Sequence, residues 1–142
     1  MTFPIVIHHN PDCETSRNVL AIIRASGAKP TVIDYRREGW TRPHLLALFA
    51  AAGLTPREAL RVSKTPAEEM GLTRDDVTDD ELIAAMIAEP ILVNRPFVCS
   101  PKGVKLCRPS ETVLDLLEHL PTETVTKEDG QVVIDAGAAR AG

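Results

Sequence analysis

The chain has 142 residues, with 16 Lys+Arg set against 20 Asp+Glu and a formal charge of −4. Its 44% hydrophobic and 25% charged residues are ordinary for one globular domain. No apolar run reaches the ~20 residues of a membrane span, no basic leader precedes the first apolar run, and an acidic balance without a basic tract argues against a nucleic-acid partner.

The chain opens with Ile5-Val6-Ile7-His8-His9, which reads as a short buried strand, and Asn10-Pro11-Asp12 reads as a turn. A helical pattern starts near Thr15, with Val19, Leu20, Ile22 and Ile23 on one side, and stops at Ser26-Gly27. Thr31-Val32-Ile33 with Tyr35 reads as a second strand, so residues 5 to 35 predict a right-handed, parallel β-α-β unit. The middle is helical. Thr41-Arg42-Pro43 opens a helix over Leu45, Leu46, Leu48 and Phe49, which Gly53 stops. Three capping boxes follow, at Thr55–Glu58, Thr65–Glu68 and Thr78–Glu81, and predict short helices.

Strands return at Phe97-Val98-Cys99 and Val104-Lys105-Leu106-Cys107, around the turn Ser100-Pro101-Lys102-Gly103. A last helix is expected from Pro109-Ser110 through Val113, Leu114, Leu116 and Leu117. Residues 121 to 142 read as a C-terminal extension whose apolar patch is Val132-Val133-Ile134, with about the last ten residues a loose tail. The order β-α-β, helices, β-β-α predicts an α/β fold of the thioredoxin-like (glutaredoxin-like) plan. Residues 1 to 120 would form one domain, with a helical insertion at about 41 to 89 between its halves.

Cys13, Cys99 and Cys107 are too few for a disulfide scaffold, and no CxxC occurs, so no metal site is expected. Without an export signal the thiols are expected to be reduced, in a cytoplasm. Cys13 follows a strand and turn and precedes a helix. A thiol there sees unpaired N–H groups and the positive end of the helix dipole, which favour the nucleophilic thiolate. Its motif, Cys13-Glu14-Thr15-Ser16, holds no second thiol, so resolution must come from glutathione, a partner protein or elsewhere in the chain.

His9, at the end of the first strand, could pair with that thiolate. His8 should point to the opposite face by strand alternation. The sixteen basic residues include eleven Arg, and guanidinium forks suit oxyanions. Arg95 and Arg108 each precede a proline near a strand end, and Arg61 lies among the short helices. These three raise the question of an oxyanion site facing Cys13. A cysteine–arginine phosphatase loop is excluded, because the sixth residue after Cys13 is Val19. No dinucleotide or nucleotide-phosphate loop occurs either. Cys99 and Cys107, on opposite arms of the hairpin, should face opposite sides of the sheet.

At this point a resemblance adds to the reading. His9-Asn10-Pro11-Asp12-Cys13-Glu14-Thr15-Ser16-Arg17-Asn18, Pro90-Ile91-Leu92-Val93-Asn94-Arg95-Pro96, Leu106-Cys107-Arg108-Pro109-Ser110-Glu111 and Thr126-Lys127-Glu128-Asp129-Gly130 resemble the glutaredoxin-coupled arsenate reductase family, over nearly the whole chain. The resemblance implies that Cys13 attacks arsenate, that His9 helps lower its pKa, and that Arg61, Arg95 and Arg108 hold the oxyanion. Arg61 is matched through Ala59-Leu60-Arg61, the least distinctive stretch. Ser16 is implied as a donor to the Cys13 thiolate. No bound cofactor is implied. Glutathione would be co-substrate, glutaredoxin the protein partner, and arsenite the product. Two positions depart from the family: Cys99 replaces a usual apolar residue, and Glu14 places a carboxylate beside Cys13 where a small residue is common. Two rival readings are a glutathione-dependent thiol-disulfide oxidoreductase, which needs no tetrahedral oxyanion site, and a redox-sensing transcriptional regulator of the same fold.

Overall fold

A computed structural model of the chain describes residues 3–134. It divides into two compact units: residues up to Ile33 together with those from Arg95 onward, and Asp34–Asn94. Among the described residues no helix is long and apolar enough to cross a membrane.

The first unit is built on a four-stranded sheet in the order β2-β1-β3-β4. Its strands are β1 (Val6–His9), β2 (Thr31–Asp34, whose last residue opens the second unit), β3 (Phe97–Ser100) and β4 (Gly103–Leu106). Helix α1 (Glu14–Ala25) connects β1 to β2, and Thr31 N donates to Ile5 O at 2.8 Å. β3 runs antiparallel to β1, pairing Ile7 with Val98, and antiparallel to β4, pairing Cys99 with Val104. Alternation along these strands sets the two faces. Ile7, Val98 and the neighbouring Cys107 take the same side. There they pack with Val19, Ile22 and Ile23 of α1 and with Val113, Leu114, Leu116 and Leu117. Each large side chain buried this way contributes about 1.5–3 kcal/mol of transfer free energy. Cys99 shares the other face with Phe97, so the two hairpin cysteines lie on opposite sides, as their spacing indicated; both are free thiols.

The expected last helix is a 3₁₀ run, Ser110–Leu116. Its apolar residues repeat at intervals of three (Val113 with Leu116, Leu114 with Leu117), which suits three residues per turn. Within the expected C-terminal extension a hairpin forms from β5 (Val125–Thr126) and β6 (Val132–Ile134). Ile134 is buried and joins the main core. Most of the expected loose tail lies outside the described residues.

The second unit holds α2 (Tyr35–Glu38), α3 (Arg42–Ala52), α4 (Pro56–Ala59) and α5 (Asp79–Ala88). Tyr35 was expected at the end of the second strand. It starts α2 instead, because the Asp34 carboxylate accepts Arg36 N and caps a helical turn. Thr41 caps α3, and full capping boxes open α4 at Thr55 and α5 at Thr78. The Thr65 box makes no helix. The Thr65 hydroxyl serves the Arg61 and Val62 carbonyls and accepts from Ala67 N, not from Glu68 N. One turn forms, Met70 N to Pro66 O at 2.9 Å, before Gly71 reverses the chain at φ +74°.

Candidate active site

The loop after β1 is tied to itself before it reaches α1. Asp12 N donates to Asn10 Oδ1 at 2.9 Å, and Cys13 N donates to Asn10 O at 3.0 Å. Cys13 is the N-cap residue of α1, in extended conformation, and its carbonyl accepts the first helical bond from Arg17 N at 3.0 Å. That places its sulfur over the unpaired N–H groups of the first turn.

Cys13 is 6% exposed, so burial pushes its thiol up, and this is the largest single influence on it. Four opposing influences outweigh it. They are the Ser16 backbone N–H, the charge of Arg95, and the hydrogen bond and charge of Arg108. The net result is a thiol held below its ordinary value, although the sulfur closes no full cap hydrogen bond. Arg108 Nη1 lies 3.8 Å from Cys13 Sγ and donates to Arg95 O at 3.1 Å. One guanidinium therefore links the thiol to the strand entrance that carries the second arginine. The peptide bonds Arg95–Pro96 and Arg108–Pro109 are both cis.

The other two cysteines behave in the opposite way. Burial pushes Cys99 up and pushes Cys107 up to about 12. Cys13 alone of the three thiols is shifted toward the nucleophilic form.

Ser16 and His9 meet each other. His9 Nδ1 is 2.6 Å from Ser16 Oγ, and Asn10 N donates to the same oxygen at 3.0 Å. Ser16 thus faces Cys13 with its backbone N–H, while its hydroxyl holds His9 and the turn. His9 reaches the cysteine loop through Ser16. Glu14 sits exposed on the first turn, where water screens its carboxylate. Cys13, Ser16, His9, Arg95 and Arg108 all belong to the first unit. Arg61 belongs to the second. Its N–H donates to Leu92 O at 2.7 Å beside a Leu60–Val93 bridge, and its Nε donates to Ser63 O at 3.0 Å.

Sequence reasoning gave Asn10 no role beyond a turn, yet it organises the loop through its carbonyl, its side chain and its N–H. Nor did it assign Arg17, whose guanidinium forks onto Glu128 and also donates to Pro11 O. The signal for Asn10 was present in Asn-Pro-Asp. For Arg17 there was none, because its partner lies 111 residues away.

Comparison with known proteins places the chain. The ArsC family model matches residues 8–116. An arsenate reductase (ArsI2) of Synechocystis sp. is 63% identical over 131 residues, covering 92% of this chain and 94% of that protein. An arsenate reductase of Rhizobium meliloti is 51% identical over 136 residues, covering 96% of this chain and 97% of that protein. The solved structure of an arsenate reductase from Vibrio cholerae matches with a TM-score of 0.78 at 34% identity, covering 82% of this chain and 100% of that one. The sheet order and flanking helices are those of the thioredoxin-like fold expected from the element order. Through the matched span and these relatives, the chain belongs to the ArsC family.

Proposed function

We propose that this enzyme reduces arsenate to arsenite with electrons from glutathione, and that Cys13 is its nucleophile. The observation that carries the reading is the Cys13 sulfur 3.8 Å from the Arg108 guanidinium, its thiol held low against its own burial. Relatives named arsenate reductase, at up to 63% identity in the comparisons above, support the substrate.

A thiolate that attacks an oxyanion meets charge repulsion. Arg95 and Arg108 offset it and stabilise the charge that builds up in the transition state. The resemblance adds Arg61 to the residues that hold the oxyanion. The Cys13 thiolate bonds to As(V) and displaces one oxygen as water, giving a thioarsenate ester. A glutathione thiolate then attacks the Cys13 sulfur. The S–As bond breaks, its electron pair stays on arsenic, and As(III) leaves as arsenite. The two electrons come from the two sulfurs, which end as a Cys13–glutathione mixed disulfide. Glutaredoxin removes the glutathione by thiol–disulfide exchange and returns Cys13. Within this scheme Ser16 holds the thiolate by its N–H, and His9 fixes Ser16.

The test is arsenate-dependent NADPH oxidation with glutathione, glutathione reductase and glutaredoxin supplied. Activity is expected from the wild type and none from Cys13→Ser. Arg95→Ala and Arg61→Ala are each expected to lose on the order of a hundredfold in kcat/KM, the range for one lost oxyanion donor. A wild type inert toward arsenate but active on a glutathione mixed disulfide would point to the thiol-disulfide oxidoreductase instead.

A further inference from the structure

The turn at the tip of the β5–β6 hairpin has no part in the chemistry above. Yet Arg17, on the first turn of α1, gives Nε to Glu128 Oε2 at 2.8 Å and Nη2 to Glu128 Oε1 at 3.0 Å. Its remaining nitrogen, Nη1, donates to Pro11 O at 2.9 Å. The guanidinium therefore joins Glu128 to the loop that carries Cys13. Beside it the Glu128 backbone N–H donates to Asn18 Oδ1 at 3.0 Å, a buried side chain.

The neighbouring residue reaches the other way. Lys127 pairs with Glu111, three residues after Arg108. The Lys127 side chain is only 11% exposed, so the cation is held in a partly desolvated contact and is not a freely solvated surface charge. Glu111 and Glu128 both have carboxyls held below their ordinary value, with the hydrogen bonds from Lys127 and Arg17 as first cause. The turn itself is closed by Lys127 N to Gln131 O at 2.8 Å and by Gly130 N to Lys127 O at 3.0 Å.

Two adjacent residues thus grip two segments distant in sequence, one bearing Cys13 and the other Arg108. Those segments meet at the 3.8 Å contact between sulfur and guanidinium. A solitary exposed ion pair contributes little. A bidentate fork backed by a backbone bond fixes geometry instead.

We propose that the Lys127–Glu128 turn is a tether that sets the spacing between the Cys13 loop and the Arg108 segment. Arg17, Lys127 and Glu128 are then positioning residues. They touch no reacting atom. The proposal rests on the reading of Cys13 as the nucleophile.

The test is iodoacetamide alkylation of the reduced full-length chain across a pH series, with the labelled cysteine located by mass spectrometry and the melting temperature recorded beside it. Glu128→Gln and Lys127→Met are each expected to slow Cys13 alkylation near neutral pH by roughly threefold, with the pH midpoint moved upward. The double variant should exceed either single one, and Lys127→Arg, which keeps the pairing with Glu111, should restore the wild-type profile. A lowered melting temperature with the midpoint unmoved would mean support of the fold alone and would overturn the proposal. So would variants identical to wild type in both readouts. Should Glu128→Gln not fold, Lys127→Met set against Lys127→Arg decides the matter. A wild-type Cys13 that titrates as an ordinary thiol sinks the nucleophile reading instead. No arsenate enters this assay, so the two failures are distinguishable.

Discussion

At Cys13 the competition is between burial, which favours the thiol, and Ser16, Arg95 and Arg108, which favour the thiolate; the second group wins. The sign follows directly. Thiolate, and with it activity, should fall as pH drops through the depressed value of Cys13. Arg108→Ala removes both a hydrogen bond and a charge, so that limb should move to higher pH, readable as slower alkylation at neutrality. A thiol pKa higher by one lowers the thiolate fraction at fixed pH up to about tenfold. Cys107 has the opposite sign. A thiol whose folded value is raised to about 12 stabilises the fold fully below its unfolded value of about 8.5, and that contribution is lost as pH rises between the two. Denaturant unfolding between about pH 8 and 10 should therefore show stability falling by up to about 1.4 kcal/mol per pH unit. The slope should flatten in Cys107→Ala, whatever that variant's absolute stability; an equal slope would mean Cys107 is not the titrating group. The position of Cys13 before a helix was legible in sequence. Residue type and the proline after it raised Arg108 as a candidate, but only the resemblance assigned it to the site, since it lies 95 residues away and nothing local encodes that contact.

Elements with several signals in agreement were read correctly. α3 has a proline within its first two residues, a Thr41 cap and a stop at Gly53, whose φ of +70° suits glycine. α5 has its capping box and ten residues to propagate. The box at Thr65 has the same letters but only one turn before Gly71. The Thr65 hydroxyl bonds backwards to the Arg61 and Val62 carbonyls and accepts from Ala67 N, in place of a cap bond from Glu68 N. Similarly, the apolar residues after Pro109 announce a buried helical segment, but only packing decides between an α and a 3₁₀ turn. The α5 cap gives a direct check. Thr78→Ala should cost about 1 kcal/mol in chemical denaturation with the m-value unchanged, because the Glu81 N–H loses its acceptor. No loss would mean that water replaces the hydroxyl at no cost.

Over the whole molecule the net charge is −4, yet the cysteine loop gathers guanidinium groups. On the proposed reading an oxyanion would be drawn to this local positive field against the net negative charge of the chain. Rising ionic strength should raise the KM for arsenate more than it changes kcat, since it screens attraction and leaves the bond-making step alone. Phosphate has the same tetrahedral charge but is not reduced by thiols. It should compete with arsenate without consuming NADPH, and a noncompetitive pattern would place the anion elsewhere.

The hairpin cysteines, set on opposite faces of the sheet, have a bearing on oxidant damage. Cys99 and Cys107 cannot close a bond across that hairpin. Burial also keeps both of them as thiols, so neither offers much of the thiolate that would resolve a sulfenic acid formed by peroxide at Cys13. At 6% exposure the Cys13 sulfur is most readily capped by a small thiol before it passes to the irreversible sulfinic state. On the proposed scheme the glutathione that serves turnover would then also protect the idle enzyme, and a cell depleted of it would lose enzyme permanently as well as rate.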